Sequence, residues 1–231
     1  PIQYHLASER PNKSDRVFGC VDTNPSSDKY DVYLANDLSQ EYLDSNLLHE
    51  LHHIVQAEAN YPSVYNKNTP DFHSDDRAFI QEVGSHLASS ILDIDVNDWL
   101  ESNGFSFRFF LDANFNAAME GSSRNYTALA DPLNFANLFC GLFMIAYYVN
   151  PERCAQLYSA YSRYPKVIEA VKEAKERIRS IGVDSPLNAT FALCFLVDYL
   201  NLWKYYYIAC SSFQIKTHND YLRFVDKVKA Q

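Results

Sequence analysis

Asp44-Ser45-Asn46-Leu47-Leu48-His49-Glu50-Leu51-His52-His53-Ile54-Val55 is the stretch whose reading decides the fold. Its apolar residues, Leu47, Leu48, Leu51, Ile54 and Val55, recur at the spacing of a helix and not at the alternation of a strand. Asp44 and Ser45 are both good N-caps, so a helix is expected from there to about Asn60, where Tyr61-Pro62 stops it. Within it lies an H-E-x-x-H run, His49 to His53. Residues four apart stand one above the other on a helix, so both imidazoles can point at one ion. Glu50 is turned roughly 100° from His49, within reach of a water on that ion without being a ligand. A chance match in a chain of this length is expected on the order of once in a hundred. The apolar flanks reduce that chance, because polar groups set in an apolar helix need partners and a metal would satisfy both imidazoles.

Before this helix, Tyr30-Asp31-Val32-Tyr33-Leu34-Ala35 is rich in β-formers and follows the turn-like Asn24-Pro25-Ser26-Ser27-Asp28, which predicts a strand, paired with Val17 to Val21. After it, Pro62 to His73 reads as a surface loop. Ser74 can cap a second helix with Asp75 and Asp76 in its first turn and Phe79, Val83, Leu87 and Ile91 directed to a core. Gly84, in its middle, permits close approach of another helix. From Val96 onward only helical periodicity and loops are expected: 96–102, 105–118, 133–149, 151–161, 166–181, 186–210 and 217–229. The fold class is therefore α+β and predominantly helical. Residues 1–100 form a metal-site region and 101–231 a helical region; no linker divides them, so the two can share one globule.

The 231 residues suffice for a sizeable core without staples. Six glycines among 17 Tyr and 15 Phe suit a folded, helix-rich chain. The formal charge of −9 argues against nucleic acid or an anionic membrane as partner. The most basic stretch, Lys166 to Arg179, is interleaved with Glu169, Glu173 and Glu176, as on a solvated helix. Five cysteines, an odd number without a C-x-x-C pair, suggest reduced, mostly buried thiols in a cytoplasmic protein. Pro1 to Arg10 shows no leader-like apolar run, and the apolar stretches 133–149 and 187–210 are interrupted by polar residues, so no membrane span is expected.

A catalytic zinc needs a third protein ligand and an open position. Glu82, on the second helix beside its apolar row, is the candidate; its other reading is a salt bridge to a cation such as Arg77. His86, one turn later on the same face, is a ligand instead, a group that hydrogen-bonds substrate, or a satisfied core histidine. Asp71, His73, Asp75 and Asp76 are weaker candidates, His52 reads as a core-edge residue, and His5 and His218 have no supporting context.

A strand, a short connection, an H-E-x-x-H helix and a second helix with a Glu resemble the gluzincin branch of the zincin metallopeptidases, and within it the ImmA/IrrE family. Tyr30 to Leu38 is similar to that family's strand and Asn-containing turn, and Asn46-Leu47-Leu48-His49-Glu50-Leu51 to its active-site helix. Glu82 ahead of Leu87-Ala88-Ser89-Ser90-Ile91-Leu92 is similar to its ligand Glu ahead of an F-A-x-x-L-L run. The resemblance spans Val17 to Leu92. His52 stands where the family usually has Gly, His86 and Leu87 match with a one-residue slip, and no helix-turn-helix precedes the strand. No His follows His53 at the metzincin spacing.

The resemblance implies a zincin-like core with a helical C-terminal half, and a peptidase in which His49, His53 and Glu82 hold Zn2+, Glu50 activates the water, and the strand at Tyr33 aligns a peptide or protein substrate by edge pairing. His86, Tyr126 or an arginine is expected to stabilise the oxyanion. The alternative is a regulatory or partner-binding protein that holds the metal without turnover.

Overall fold

The computed structural model describes residues 2–6, 19–24, 29–35, 39–67 and 74–229. Among them the chain is α+β and predominantly helical, with eight helices and six short strands in two sheets. It forms two compact units, one of Pro1–Ala59 with Ile94–Phe110 and one of Asn60–Asp93 with Leu111–Gln231.

The first unit contains β1 (Ile2–Leu6), β2 (Gly19–Asn24), β3 (Lys29–Leu34) and helix α1 (Gln40–Glu58). The sheet order is β1-β3-β2, with β1 parallel to β3 and β2 antiparallel to it. The expected strand at Tyr30 is thus β3, and Val21 of β2 pairs with Val32; Val17, Leu38 and the Pro25 to Asp28 turn lie outside the described residues. β3 is the central strand, so Tyr33 offers no free edge, which corrects the expectation that a peptide pairs there. β3 sits at the centre, with Val32 fully buried and Tyr33 nearly so on its two opposite faces, while Ile2, Tyr4 and Leu6 of β1 are exposed. α1 starts at Gln40 behind an extended Ser39, one turn before the expected Asp44, which instead accepts a hydrogen bond from Gln40 Nε2 at 2.8 Å within the first turn.

Helix α2 (Ser74–Ser102) runs unbroken through the point where the chain passes from one unit to the other, so the segment expected as a separate helix from Val96 is its last turns. The second unit adds α3 (Arg108–Gly121, from Leu111), α4 (Pro132–Tyr148), α5 (Pro151–Ala160), α6 (Pro165–Ile181), α7 (Pro186–Tyr199) and α8 (His218–Lys229). Proline at the first position sets the start of α4 to α7, where its missing N–H costs nothing. Asp131, Asn150 and Ser185 accept the exposed amides of α4, α5 and α7.

Two expectations fail here. Ser63–Asn66 is a strand, β4, and the helix expected over 186–210 stops at Tyr199, leaving β5 (Tyr206–Cys210) and β6 (Phe213–Ile215). β4 pairs antiparallel with β5, joining residues about 140 positions apart, a pairing with no local signal. Tyr206 is fully buried, and its hydroxyl donates to Ile80 O at 2.7 Å. The residue that packs against Gly84 is therefore this strand tyrosine, and not a helix: a Cβ on Gly84 would stand 2.9 Å from Tyr206 Cε1.

The basic helix α6 buries Val167, Val171, Ala174 and Ile178. Lys175 Nζ donates to Ala146 O and Arg179 donates to Tyr147 O at 3.1 Å, so two of its cations serve the C-terminal carbonyls of α4. Cys140, Cys154 and Cys194 are buried free thiols, and burial pushes Cys140 up to about 12. No helix among the described residues is long and apolar enough to cross a membrane.

Candidate metal centre

α1 is a single rigid element, and its i,i+4 spacing brings His49 Nε2 within 3.2 Å of His53 Nε2, with the rings 82° apart. Two nitrogens held at about 2.0–2.1 Å from a tetrahedral zinc stand about 3.3 Å apart, so the pair already has the spacing of one edge of such a site.

The tautomer of His53 follows from its other side. Gln56 Nε2 donates to Asp95 Oδ2 at 2.9 Å, because a carboxylate only accepts. That turns Gln56 Oε1 to His53 Nδ1, at 2.9 Å, so Nδ1 carries the proton and donates it. Nε2 of His53 is left with its lone pair directed at His49 Nε2. Gln56 is 2% exposed, which protects this chain from competition by water. His52, expected as a core-edge residue, sits with Nε2 3.3 Å from Asp95 Oδ2 and its ring on Trp99, at 4.8 Å between centroids. The order is therefore His53, Gln56, Asp95, His52, a second layer that orients the first.

Glu50 is buried, 5% exposed, and Ser45 and Asn46, within five residues before it on α1, are buried too. Val55, by contrast, is exposed. The helix thus buries its polar face around the motif and not the whole apolar set.

His49, His53 and Asp93 offer ligand atoms that all lie within 4.8 Å of one another, the grouping among the described residues that can hold a metal ion. Two imidazoles and a carboxylate are a borderline donor set, suited to zinc and other first-row divalent ions. The residues present therefore fit such an ion.

Glu82 is exposed and lies eleven residues before Asp93 on α2. That separation is about 16 Å along the axis but only about 20° around it, so the two share a face three turns apart. Glu82 and His86 instead line a pocket together with Tyr126, and His86 Nδ1 meets Asn137 Oδ1 at 3.0 Å. Asp71 and His73 lie outside the described residues, and Asp76 is exposed. His5 and His218 each meet a carboxylate, Asp31 at 3.0 Å and Asp198 at 2.5 Å.

Sequence reading missed Gln56, Asp93 and Asp95. Gln56 was within reach, three residues after His53 on the same helix. Asp93 and Asp95 carried a signal as well: they interrupt the apolar run Ile91-Leu92-Asp93-Ile94-Asp95-Val96, where a buried carboxylate needs a partner. Compared with known proteins, the chain matches no family model, no curated protein and no solved structure, so the functional reading rests on these residues alone.

Proposed function

We propose that the chain is a zinc-dependent metallopeptidase with a zincin-like centre on α1, its zinc held by His49, His53 and a carboxylate of α2, Asp93. The observation that carries this reading is the 3.2 Å approach of the two Nε2 atoms, with the lone pair of His53 fixed by Gln56 and Asp95. Zinc bound there supplies Lewis acidity and a nucleophile at neutral pH. Glu50, next to His49 and shielded from bulk water, accepts the proton released in the attack and returns it to the leaving amine. Gln56 and Asp95 keep the His53 proton on Nδ1, so that Nε2 remains a ligand through the cycle. Since β3 is central, the outer strands β1 and β2 are the edges available to align an extended peptide.

The test is zinc stoichiometry together with hydrolysis of a peptide library, in wild type and four variants. The wild type should bind one zinc, His49→Ala none, and Asp93→Ala should lose at least tenfold in affinity while Glu82→Ala retains it. Glu50→Gln should keep the zinc and lose about 10²- to 10⁴-fold in turnover. A wild-type protein that binds no zinc refutes the metal centre. Zinc binding with no hydrolysis, and a biological activity untouched by Glu50→Gln, would favour the regulatory alternative.

A further inference from the structure

The second unit holds a pocket of about 420 Å³ that the metal centre does not use. That volume lies in the range of small-molecule sites. Three elements build it, and their chemistry is sorted by sign. From α2 come acceptors: the carboxylate of Glu82 and, one turn on, the imidazole of His86. His86 Nδ1 donates to Asn137 Oδ1 at 3.0 Å, which leaves Nε2 as an acceptor beside that carboxylate. From the segment after α3 comes a donor, the guanidinium of Arg124, which pairs with no carboxylate among the described residues. From α4 come Leu138, Leu142 and Ile145, around the exposed Gly141.

The segment carrying Arg124 is held by its backbone and not by its side chain. Arg163 donates to the carbonyls of Ser122 and Arg124, Tyr164 Oη donates to Arg124 O at 3.2 Å, and the Tyr126 amide donates to Tyr164 Oη at 2.8 Å. The backbone that carries Arg124 is thereby held at the pocket, and the five donors of its guanidinium stay available for a ligand. Gly141 leaves the α4 wall open, since a Cβ built on it meets nothing within 4 Å.

We propose that this pocket binds a free α-amino acid with an apolar side chain, of the leucine or phenylalanine kind. Its carboxylate pairs with Arg124, in the bidentate geometry that guanidinium favours. Its ammonium donates to Glu82 and to Nε2 of His86. Its side chain lies over Gly141 against Leu138, Leu142 and Ile145. The site is independent of the metal centre, so either reading can fail alone.

Calorimetric titration of the full chain, stripped of metal, with L-leucine and L-phenylalanine tests this. The expected result is binding with Kd of about 1 mM or tighter. Glycine, the deaminated acid 4-methylpentanoate and the decarboxylated amine 3-methylbutylamine should each bind at least tenfold more weakly. Arg124→Gln should weaken leucine at least tenfold. Gly141→Leu should abolish binding with the thermal unfolding midpoint unchanged or raised, which separates occlusion from misfolding. Absence of leucine and phenylalanine binding would overturn the proposal. So would equal binding of the acid or the amine alone, or leucine binding that survives Gly141→Leu.

Discussion

Gln56→Met tests the orientation of the metal centre without touching a ligand. The substitution keeps the side-chain length and roughly the volume, so the buried site stays filled, but it deletes two hydrogen bonds of 2.9 Å, one from His53 Nδ1 and one to Asp95 Oδ2. Without Gln56 the His53 ring loses the acceptor that holds the proton on Nδ1, and the tautomer with a protonated Nε2, which cannot bind metal through that nitrogen, becomes accessible. Removal of an orienting partner of this kind costs 10- to 100-fold in metal affinity, or about 1.4–2.7 kcal/mol. A separate effect falls on the metal-free protein. Two hydrogen bonds of about 0.5–1.5 kcal/mol each are lost, for a total of about 1–3 kcal/mol of folding stability. Asp95 keeps a partner in His52 and some access to water, which places the expected loss in the lower half of that range. Zinc affinity is measured by competition with a chromophoric chelator, and stability by urea unfolding of the metal-free chain. Unchanged zinc affinity in Gln56→Met, alongside loss of zinc in His49→Ala, would refute the argument that Gln56 sets the His53 tautomer.

Two glycines on helices should respond in opposite ways to alanine. Gly84→Ala places a Cβ 2.9 Å from the buried Tyr206 ring and 3.1 Å from Asn66 Oδ1, and should destabilise by about 1–3 kcal/mol in spite of its better helix propensity. Gly141→Ala meets nothing within 4 Å and should stabilise by up to about 1 kcal/mol, read from the same urea midpoints. Lys175 supplies the pH test: burial holds its ammonium below the ordinary 10.5, with Arg179 adding to the effect and Cys154 and Glu176 opposing it. Between its folded pKa and 10.5 the unfolded chain binds the proton more strongly, so stability rises with pH across that window. The stability difference between wild type and Lys175→Met, followed by urea unfolding from pH 7 to 10, should shift toward wild type as pH rises; a shift the other way would contradict the sign of the burial effect.

Elements coded by neighbouring residues were legible and elements coded by distant ones were not. The starts of α4, α5 and α7 follow from a cap followed by proline, Asp131-Pro132, Asn150-Pro151 and Ser185-Pro186, and each is closed within three residues. The end of α7 is different. Tyr206 to Cys210 continues the apolar character of the helix before it, and only pairing with Ser63–Asn66 and burial of the Tyr206 ring turn it into a strand. The basic face of α6 was read as solvated because its charges alternate; that Lys175 and Arg179 meet the end of α4 depends on how the two helices pack, which no spacing within α6 states.

The candidate site divides along the same line. His49, Glu50 and His53 lie on one helix, so their relation is a matter of 3.6 residues per turn, and sequence alone places them. The candidate third ligand belongs to another helix, and there sequence settles the face but not the height. Glu82, His86 and Asp93 fall on one stripe of α2 at spacings of four and seven residues, so any of them satisfies a rule that asks only for the right side of the helix. The choice among them is a translation of α2 along its own axis by up to about 16 Å, and long-range packing sets that quantity. The polar groups themselves supply the missing constraint. Asp95 is spoken for by Gln56 and His52, both on α1, and this fixes which turn of α2 faces the histidine helix. Asp93, two residues earlier, is thereby brought to the histidine pair, while Glu82 is left three turns away with the acceptors of a different pocket. A rule that first pairs the half-buried carboxylates and buried amides, and only then assigns candidate ligands, would have pointed to Asp93 where a rule based on motif spacing stopped at Glu82.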